Sequence, residues 1–357
     1  MNPEKISSLH DDLMVPKATE HLGEYRDYPD RFDPSEKSVL TRLEQFGIDI
    51  KAAEEAYYKK IGDFSWEEYS ELVGEAIRAR YDTIVGSVFD QYMFPTKENP
   101  DIDQRRHKMF ELFEQYEEME GRAGLHLIKS RADFGESGNV VLGLEAGAHL
   151  IKTMGDVKRL EDHGVKLFGL QYNTETPLAD ASGMTTFGAE VAQYLFDQDL
   201  IIDLAHSNYK TRQDVMALAT ELGKGHLVSY THGASEQDIS DSWKNKISER
   251  ALKKEEIEQI VKMGGMIGLG VSEPFYSSAR KVAERINETA QLDHGIEQIA
   301  IGTDFGGVPP EFLNDIKSPD DFKKLADILS ADFGMSDEQV NKILRSNAPE
   351  WIKEAIK

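Results

Sequence analysis

Four apolar, β-prone runs in this chain end abruptly on a residue that can ligate a metal: Val140 to Glu145, Leu200 to His206, His226 to His232 and Ile299 to Asp304. In a parallel barrel the C-terminal ends of the strands converge on one face, so residues far apart in sequence meet there. A fifth run extends the set. Near the N-terminus Leu9-His10-Asp11-Asp12 carries His10 and Asp12 two positions apart, a spacing that points both to one side of an extended strand. The pattern predicts a metal centre of three histidines and two carboxylates, with one further acid.

The order of elements supports the same architecture. VVLGLE leads into a helical stretch from Ile151 to His163, VKLFGLQYN into one from Thr185 to Asp197, and LIIDLAH into one from Thr211 to Leu222. HLVSYTH, GGMIGLGV and IAIGTD continue the alternation, with helices expected at Lys253 to Met263, at Ser277 to Leu292 and, two or three of them, from Ser318 onward. Near-continuous apolar strands separated by amphipathic helices mark a parallel sheet covered on both faces. Between residues 35 and 131 the texture is helix upon helix. Ser65-Trp66-Glu67-Glu68 reads as a capping box before an apolar stripe at Tyr69, Leu72, Val73, Ala76 and Ile77, and a second amphipathic helix runs from Asp103 to Gly121. The expected fold is a single elaborated (β/α)8 TIM barrel over 1–357, with 35–131 a mainly helical insertion after the first strand. A plain barrel needs only roughly 250 residues.

Composition limits the chemistry. The absence of cysteine removes disulfides, thiolate ligands and a cysteine nucleophile, so any metal must be held by His, Asp and Glu. Asp and Glu number 65 against 41 Lys and Arg, a net charge of -24 that argues against nucleic-acid and anionic-membrane partners. No apolar run reaches the roughly 18 residues of a membrane span, and MNPEKISSLHDD lacks the apolar core of a signal peptide. A cytoplasmic protein is expected, with a leader removed from a longer precursor left open.

Glu145 ends a strand that would otherwise be wholly buried, and a buried carboxylate is paired, protonated or metal-bound. His206 and His232 end consecutive strands. Asp304 lies in Gly302-Thr303-Asp304-Phe305-Gly306-Gly307, where glycines allow a ligand to approach closely. His226 begins its strand and falls on the opposite rim, and His149, four residues after Glu145, is a further candidate for the mouth. His21, His107, His126, His163 and His294 occupy helix or loop positions. Carboxylates with neutral imidazoles suit Zn2+, although other divalent ions accept the same donors, and two ions sharing a carboxylate lower the pKa of a water toward neutrality.

The words around these residues resemble the membrane (renal) dipeptidase family of the amidohydrolase superfamily of metal-dependent hydrolases. The resemblance rests on Leu9-His10-Asp11-Asp12-Leu13, Gly143-Leu144-Glu145-Ala146-Gly147, Gly169-Leu170-Gln171-Tyr172-Asn173 and Gly183-Met184-Thr185-Thr186-Phe187-Gly188. It continues through Ile202-Asp203-Leu204-Ala205-His206-Ser207, Ser229-Tyr230-Thr231-His232, Glu249-Arg250-Ala251-Leu252 and Ile301-Gly302-Thr303-Asp304-Phe305. It runs from Asn139 to Gly307, more loosely to Trp351, and leaves the region from about His21 to Asp133 unmatched. It implies two Zn2+ ions, one held by His10, Asp12 and Asp304 and the other by His206 and His232, with Glu145 bridging. The implied reaction is hydrolysis of a dipeptide by a bridging hydroxide, with Asp304 carrying the proton to the leaving amine and Arg250 gripping the substrate carboxylate. Tyr172 stands where animal members carry a histidine, and its phenol can donate to the developing oxyanion. Alternatives are hydrolysis of another small amide, an N-acyl amino acid or a lactam, and a non-catalytic barrel acting as scaffold or sensor. The expected partner is a small peptide substrate, with homodimerisation left open.

Overall fold

The computed structural model describes residues 5–12, 44–49, 66–88, 102–121, 124–308 and 312–357. Within them eight parallel strands close into a ring. β1 (Ile6–Asp12) pairs with β2 (Tyr81–Val88), and β2 with β3 (Asn139–Leu144). β4 (Val165–Gly169), β5 (Ile201–Asp203), β6 (Val228–Tyr230) and β7 (Met266–Leu269) follow in order, and β8 (Ile299–Ile301) completes the circuit through Ser8 and Ile301. A two-residue strand, His126–Leu127, lies beside β3. Every residue of β3 and of β5 to β8 is buried. Both faces of a barrel strand are covered, one by inward-pointing side chains and the other by helices, which is why these strands read as unbroken apolar runs.

The connecting helices keep close to the expected limits: α3 (Met154–Asp162), α4 (Thr186–Asp197), α5 (Tyr209–Glu221), α7 (Lys254–Lys262) and α8 (Ala279–Ala290), with a short α6 (Asp241–Ile247) between α5 and α7. Their starts are fixed by side-chain caps. Thr185 accepts the Gly188 N–H at 2.9 Å, Asn208 the Thr211 N–H at 2.9 Å and Ser278 the Lys281 N–H at 3.4 Å. In α8, Val282, Ala283 and Ile286 form the buried stripe against the barrel. Beyond Ser318 the chain forms α9 (Phe322–Phe333), α10 (Asp337–Asn341) and α11 (Asn347–Ala355). Among the described residues no helix is long and apolar enough to cross a membrane.

The block at 35–131 departs in part from the expectation of helices. It holds α1 (Trp66–Arg80) and α2 (Ile102–Met119), whose Met109, Phe110, Phe113 and Tyr116 are buried as expected. Between them, however, Tyr81–Val88 is a full barrel strand in register with β1 and β3. α1 runs into it with no intervening turn, so nothing in the sequence punctuates the change of period. The capping box at Ser65 lies outside the described residues.

Candidate metal centre

Glu145 follows β3, His206 follows β5 by three residues and His232 follows β6 by two, so all three reach the same mouth. One ligand atom from each lies within 4.8 Å of the others, and all three side chains are buried. His206 Nε2 is 2.7 Å from Glu145 Oε1 and 2.8 Å from His232 Nε2, and His232 Nε2 is 3.6 Å from Glu145 Oε1. The partners behind the rings decide which nitrogens carry protons. His206 Nδ1 faces Asn173 Oδ1 at 3.0 Å, an acceptor, so the proton sits on Nδ1. His232 Nδ1 faces Thr231 Oγ1 at 3.1 Å, and that hydroxyl donates its own proton to Asp203 Oδ2 at 2.6 Å, so it accepts from Nδ1. In neutral rings so oriented, both Nε2 atoms present lone pairs beside each other and beside a carboxylate oxygen. Three electron-rich atoms converging in a buried site repel one another unless a cation stands between them. The donor set, neutral imidazoles and a carboxylate, suits zinc or a similar divalent ion.

Arg250 Nη2 lies 3.3 Å from His206 Nε2. A guanidinium has no acceptor, so a hydrogen bond at this contact uses an unprotonated Nε2, in keeping with the proton on Nδ1. Tyr172 stacks on His206 with ring centroids 4.1 Å apart and planes at 21°. Behind it His149, in the short helical turn Ala146–Leu150, is hydrogen-bonded to the Tyr172 backbone. Burial holds its pKa below the usual histidine value, so it is a neutral support for Tyr172.

Three backbone positions at the mouth are left-handed without being glycine: Asn173 (φ 59), His206 (φ 62) and Asp304 (φ 57). Such residues are uncommon and cluster at functional sites. Asp304 is half-buried on the loop after β8, and its carbonyl accepts the Val308 N–H at 3.0 Å. Gly302 packs so tightly that a Cβ there would overlap the Thr231 carbonyl, which draws the end of β8 against the His232 segment. Among the described residues the ligand cluster consists of Glu145, His206 and His232, and Asp304 is not part of it. The backbone of His10 and Asp12 belongs to β1, where the register with β2 shifts between Ser8 and Asp11, and their side chains lie outside the described residues.

Sequence reasoning did not single out Asn173, Asp203 or Thr231 as supports of the ligands. The signal for Asp203 was present: an acid one step before the end of an apolar strand run, in Ile202-Asp203-Leu204, must find buried donors. Gln45 was also missed. It accepts the Gly306 N–H at 2.7 Å and donates to the Val308 carbonyl at 3.0 Å, so a segment more than 250 residues away in sequence clasps the loop that carries Asp304.

A closed parallel barrel that gathers imidazoles and a carboxylate at its C-terminal strand ends is the architecture of a metal-dependent hydrolase. The profile of the membrane dipeptidase family (peptidase family M19) matches residues 57–355, and the chain belongs to that family. It is accordingly a metallohydrolase. The match begins at residue 57, so it takes in most of the block that the motifs alone left unmatched, while β1 precedes it. Among solved structures the fold is similar to a dipeptidase described as a metallopeptidase of the same family, with a TM-score of 0.66, 14% identity and 99% of each chain covered. It is also similar to a metallopeptidase from Rhodobacter sphaeroides bound to a phosphinate mimic of L-Ala-D-Ala, with a TM-score of 0.62, 14% identity and 98% of each chain covered. An amidohydrolase from Pseudomonas aeruginosa gives a TM-score of 0.59 at 18% identity over 82% of this chain and 94% of that one.

Proposed function

We propose that this protein hydrolyses dipeptides with two divalent ions, zinc foremost. Glu145 would be shared between the ions, His206 and His232 would hold one, and His10, Asp12 and Asp304 the other. The observation that carries the reading is the convergence of two bare Nε2 atoms on Glu145 Oε1 beside the Arg250 guanidinium. Ions of this kind supply, when bound, a water acidified toward neutrality and Lewis-acid polarisation of the peptide carbonyl.

The side chains do the rest. Arg250 takes the substrate's C-terminal carboxylate in paired N–H···O bonds, which fixes one end of a short peptide. Tyr172 donates its phenolic proton toward the carbonyl oxygen as negative charge builds there. Asp304 accepts the proton of the attacking water and passes it to the amine nitrogen as the C–N bond breaks. The phosphinate mimic of L-Ala-D-Ala bound by the Rhodobacter protein makes a panel of L,L and L,D dipeptides the natural screen.

The purified protein should carry about two metal ions per chain, and Asp304→Asn should abolish hydrolysis with the fold intact. A metal-free protein that stays inactive after zinc is restored overturns the proposal. Arg250→Ala separates dipeptides from other small amides: its loss should be confined to substrates with a free carboxylate.

A further inference from the structure

Arg212, in the first turn of α5, is 1% exposed, and Glu256 of α7, its partner, is 0% exposed. The guanidinium meets the carboxylate fork to fork, Nε to Oε1 at 2.8 Å and Nη2 to Oε2 at 2.9 Å. Its other N–H groups go to carbonyl oxygens. Nη1 donates to Ser207 at 2.7 Å and to Glu249 at 2.9 Å, reaching Arg250 at 3.3 Å, and Nη2 donates to Ala251 at 3.1 Å. Glu256 is itself held by the Lys253 N–H at 2.9 Å. From the end of β6, Tyr230 Oη donates to the Arg250 carbonyl at 3.0 Å.

The ion pair by itself adds little net stability, because an apolar pair of similar volume often replaces a buried ion pair without loss. Its geometry is specific. Ser207 follows the ligand candidate His206 directly, whereas Glu249, Arg250 and Ala251 form the turn that carries the Arg250 side chain. One planar group therefore ties the two segments together, and the ring is closed by the 3.3 Å contact between Arg250 and His206. A lysine could not substitute: three donors on a flexible stem cannot bridge a carboxylate and four carbonyls.

We propose that Arg212, locked by Glu256 and assisted by Tyr230, is a positioning residue that sets the span between His206 and Arg250, and so where a substrate carboxylate rests relative to the bond being cut. The inference rests on Arg250 as the carboxylate-binding residue, and the experiment tests the two separately.

The probes are two matched dipeptide isosteres with the amide replaced by CH2–NH, one ending in a carboxylate and the other in a carboxamide, titrated calorimetrically into metal-loaded protein. The readout is the ratio of the two affinities. Arg250→Ala is the control: if it leaves the ratio unchanged, Arg250 does not bind the carboxylate and the positioning role falls with it. If the control collapses the ratio, the double variant Arg212→Met with Glu256→Leu should fold, melt below the wild type because the Ser207, Glu249, Arg250 and Ala251 carbonyls lose their donor, and lose about tenfold of the ratio, the size of one charge-assisted hydrogen bond set out of place. With hydrolysable substrates the same loss should appear in kcat/KM for a dipeptide ending in a carboxylate and be absent for its carboxamide counterpart. Arg212→Lys should lose the ratio as well, and Tyr230→Phe should lose part of it. A folded double variant with the wild-type ratio overturns the proposal, and so do unchanged ratios in both Arg212→Lys and Tyr230→Phe should the double variant fail to fold.

Discussion

Replacing Asp203 with asparagine should weaken metal binding at His232 without altering a ligand. Asp203 is buried, and its carboxylate accepts the Thr231 N–H at 2.9 Å, the Thr231 hydroxyl at 2.6 Å and the Ala205 N–H at 3.1 Å. A carboxylate can only accept, so the hydroxyl must point its proton at Asp203 and accept from His232 Nδ1. In the variant the amide nitrogen facing that hydroxyl is a donor. The hydroxyl then turns its proton toward Nδ1, and the imidazole proton moves to Nε2, where it blocks a cation. Restoring the ligating tautomer means breaking one buried hydrogen bond, about 1–3 kcal/mol. At 1.4 kcal/mol per decade that is roughly 5- to 150-fold in affinity, which brackets the roughly 10- to 100-fold typical of lost supporting partners. The assay is a zinc competition titration against a chromophoric chelator, on stripped protein, with 15N NMR of the imidazoles to report the tautomer. Wild-type affinity in a folded Asp203→Asn protein, or an Nε2–H signal for His232 in the metal-free wild type, would refute the reasoning.

Asn173→Gly should lower zinc affinity roughly 10- to 100-fold by removing the acceptor behind His206, while calorimetry finds the melting temperature held or raised, since glycine relaxes a φ of 59. His149 gives a pH dependence. Burial depresses its folded pKa below the ordinary 6.5, so stability is full above that value and declines as the unfolded chain takes up a proton on acidification; melting curves between neutral and mildly acidic pH should show a smaller decline for His149→Gln. Gln45→Ala strips two buried backbone groups of their partner and should cost about 2–4 kcal/mol in urea unfolding, with the slope of the transition unchanged.

The parts of the site that could be read from the sequence are those that break a local rule. Glu145, His206 and His232 each follow a largely apolar, fully buried strand, and polarity at such a position needs a reason. The strands themselves proved shorter than their apolar runs. β5 stops at Asp203 and β6 at Tyr230, and His226 lies in the helical turn Gly225–Leu227 just before β6. The remaining residues of each run carry the ligands out over the rim. What stayed hidden was pairing across long separations. Arg212 looks like any helix-surface arginine until α7 brings Glu256 against it, and Gln45 means nothing until the Asp304 loop folds over it. Neither contact leaves a period or a spacing in the chain. β2 was hidden for a different reason: with no glycine, proline or cap between Arg80 and Tyr81, the helix passes straight into the strand.

Backbone strain and buried polar bonds occupy the same end of the barrel, and the coincidence has a cause. Of the five non-glycine left-handed residues among the described positions, Asn173, His206 and Asp304 follow strand ends at the mouth, and each costs about 1–3 kcal/mol unless its surroundings hold it. The hold comes from polar groups a merely stable barrel would lack: Asn173 behind His206, Arg212 on the Ser207 carbonyl, and Gln45 on the loop after Asp304. Loosening any of them should let the backbone relax toward ordinary angles and carry the side chain out of the site. Stability and metal affinity are therefore expected to part company where a substitution relieves the strain itself, as Asn173→Gly does, raising the first and lowering the second, whereas loss of a clasp such as Gln45 lowers both. Elsewhere in the barrel, where apolar packing alone fixes the strands, the two should fall together.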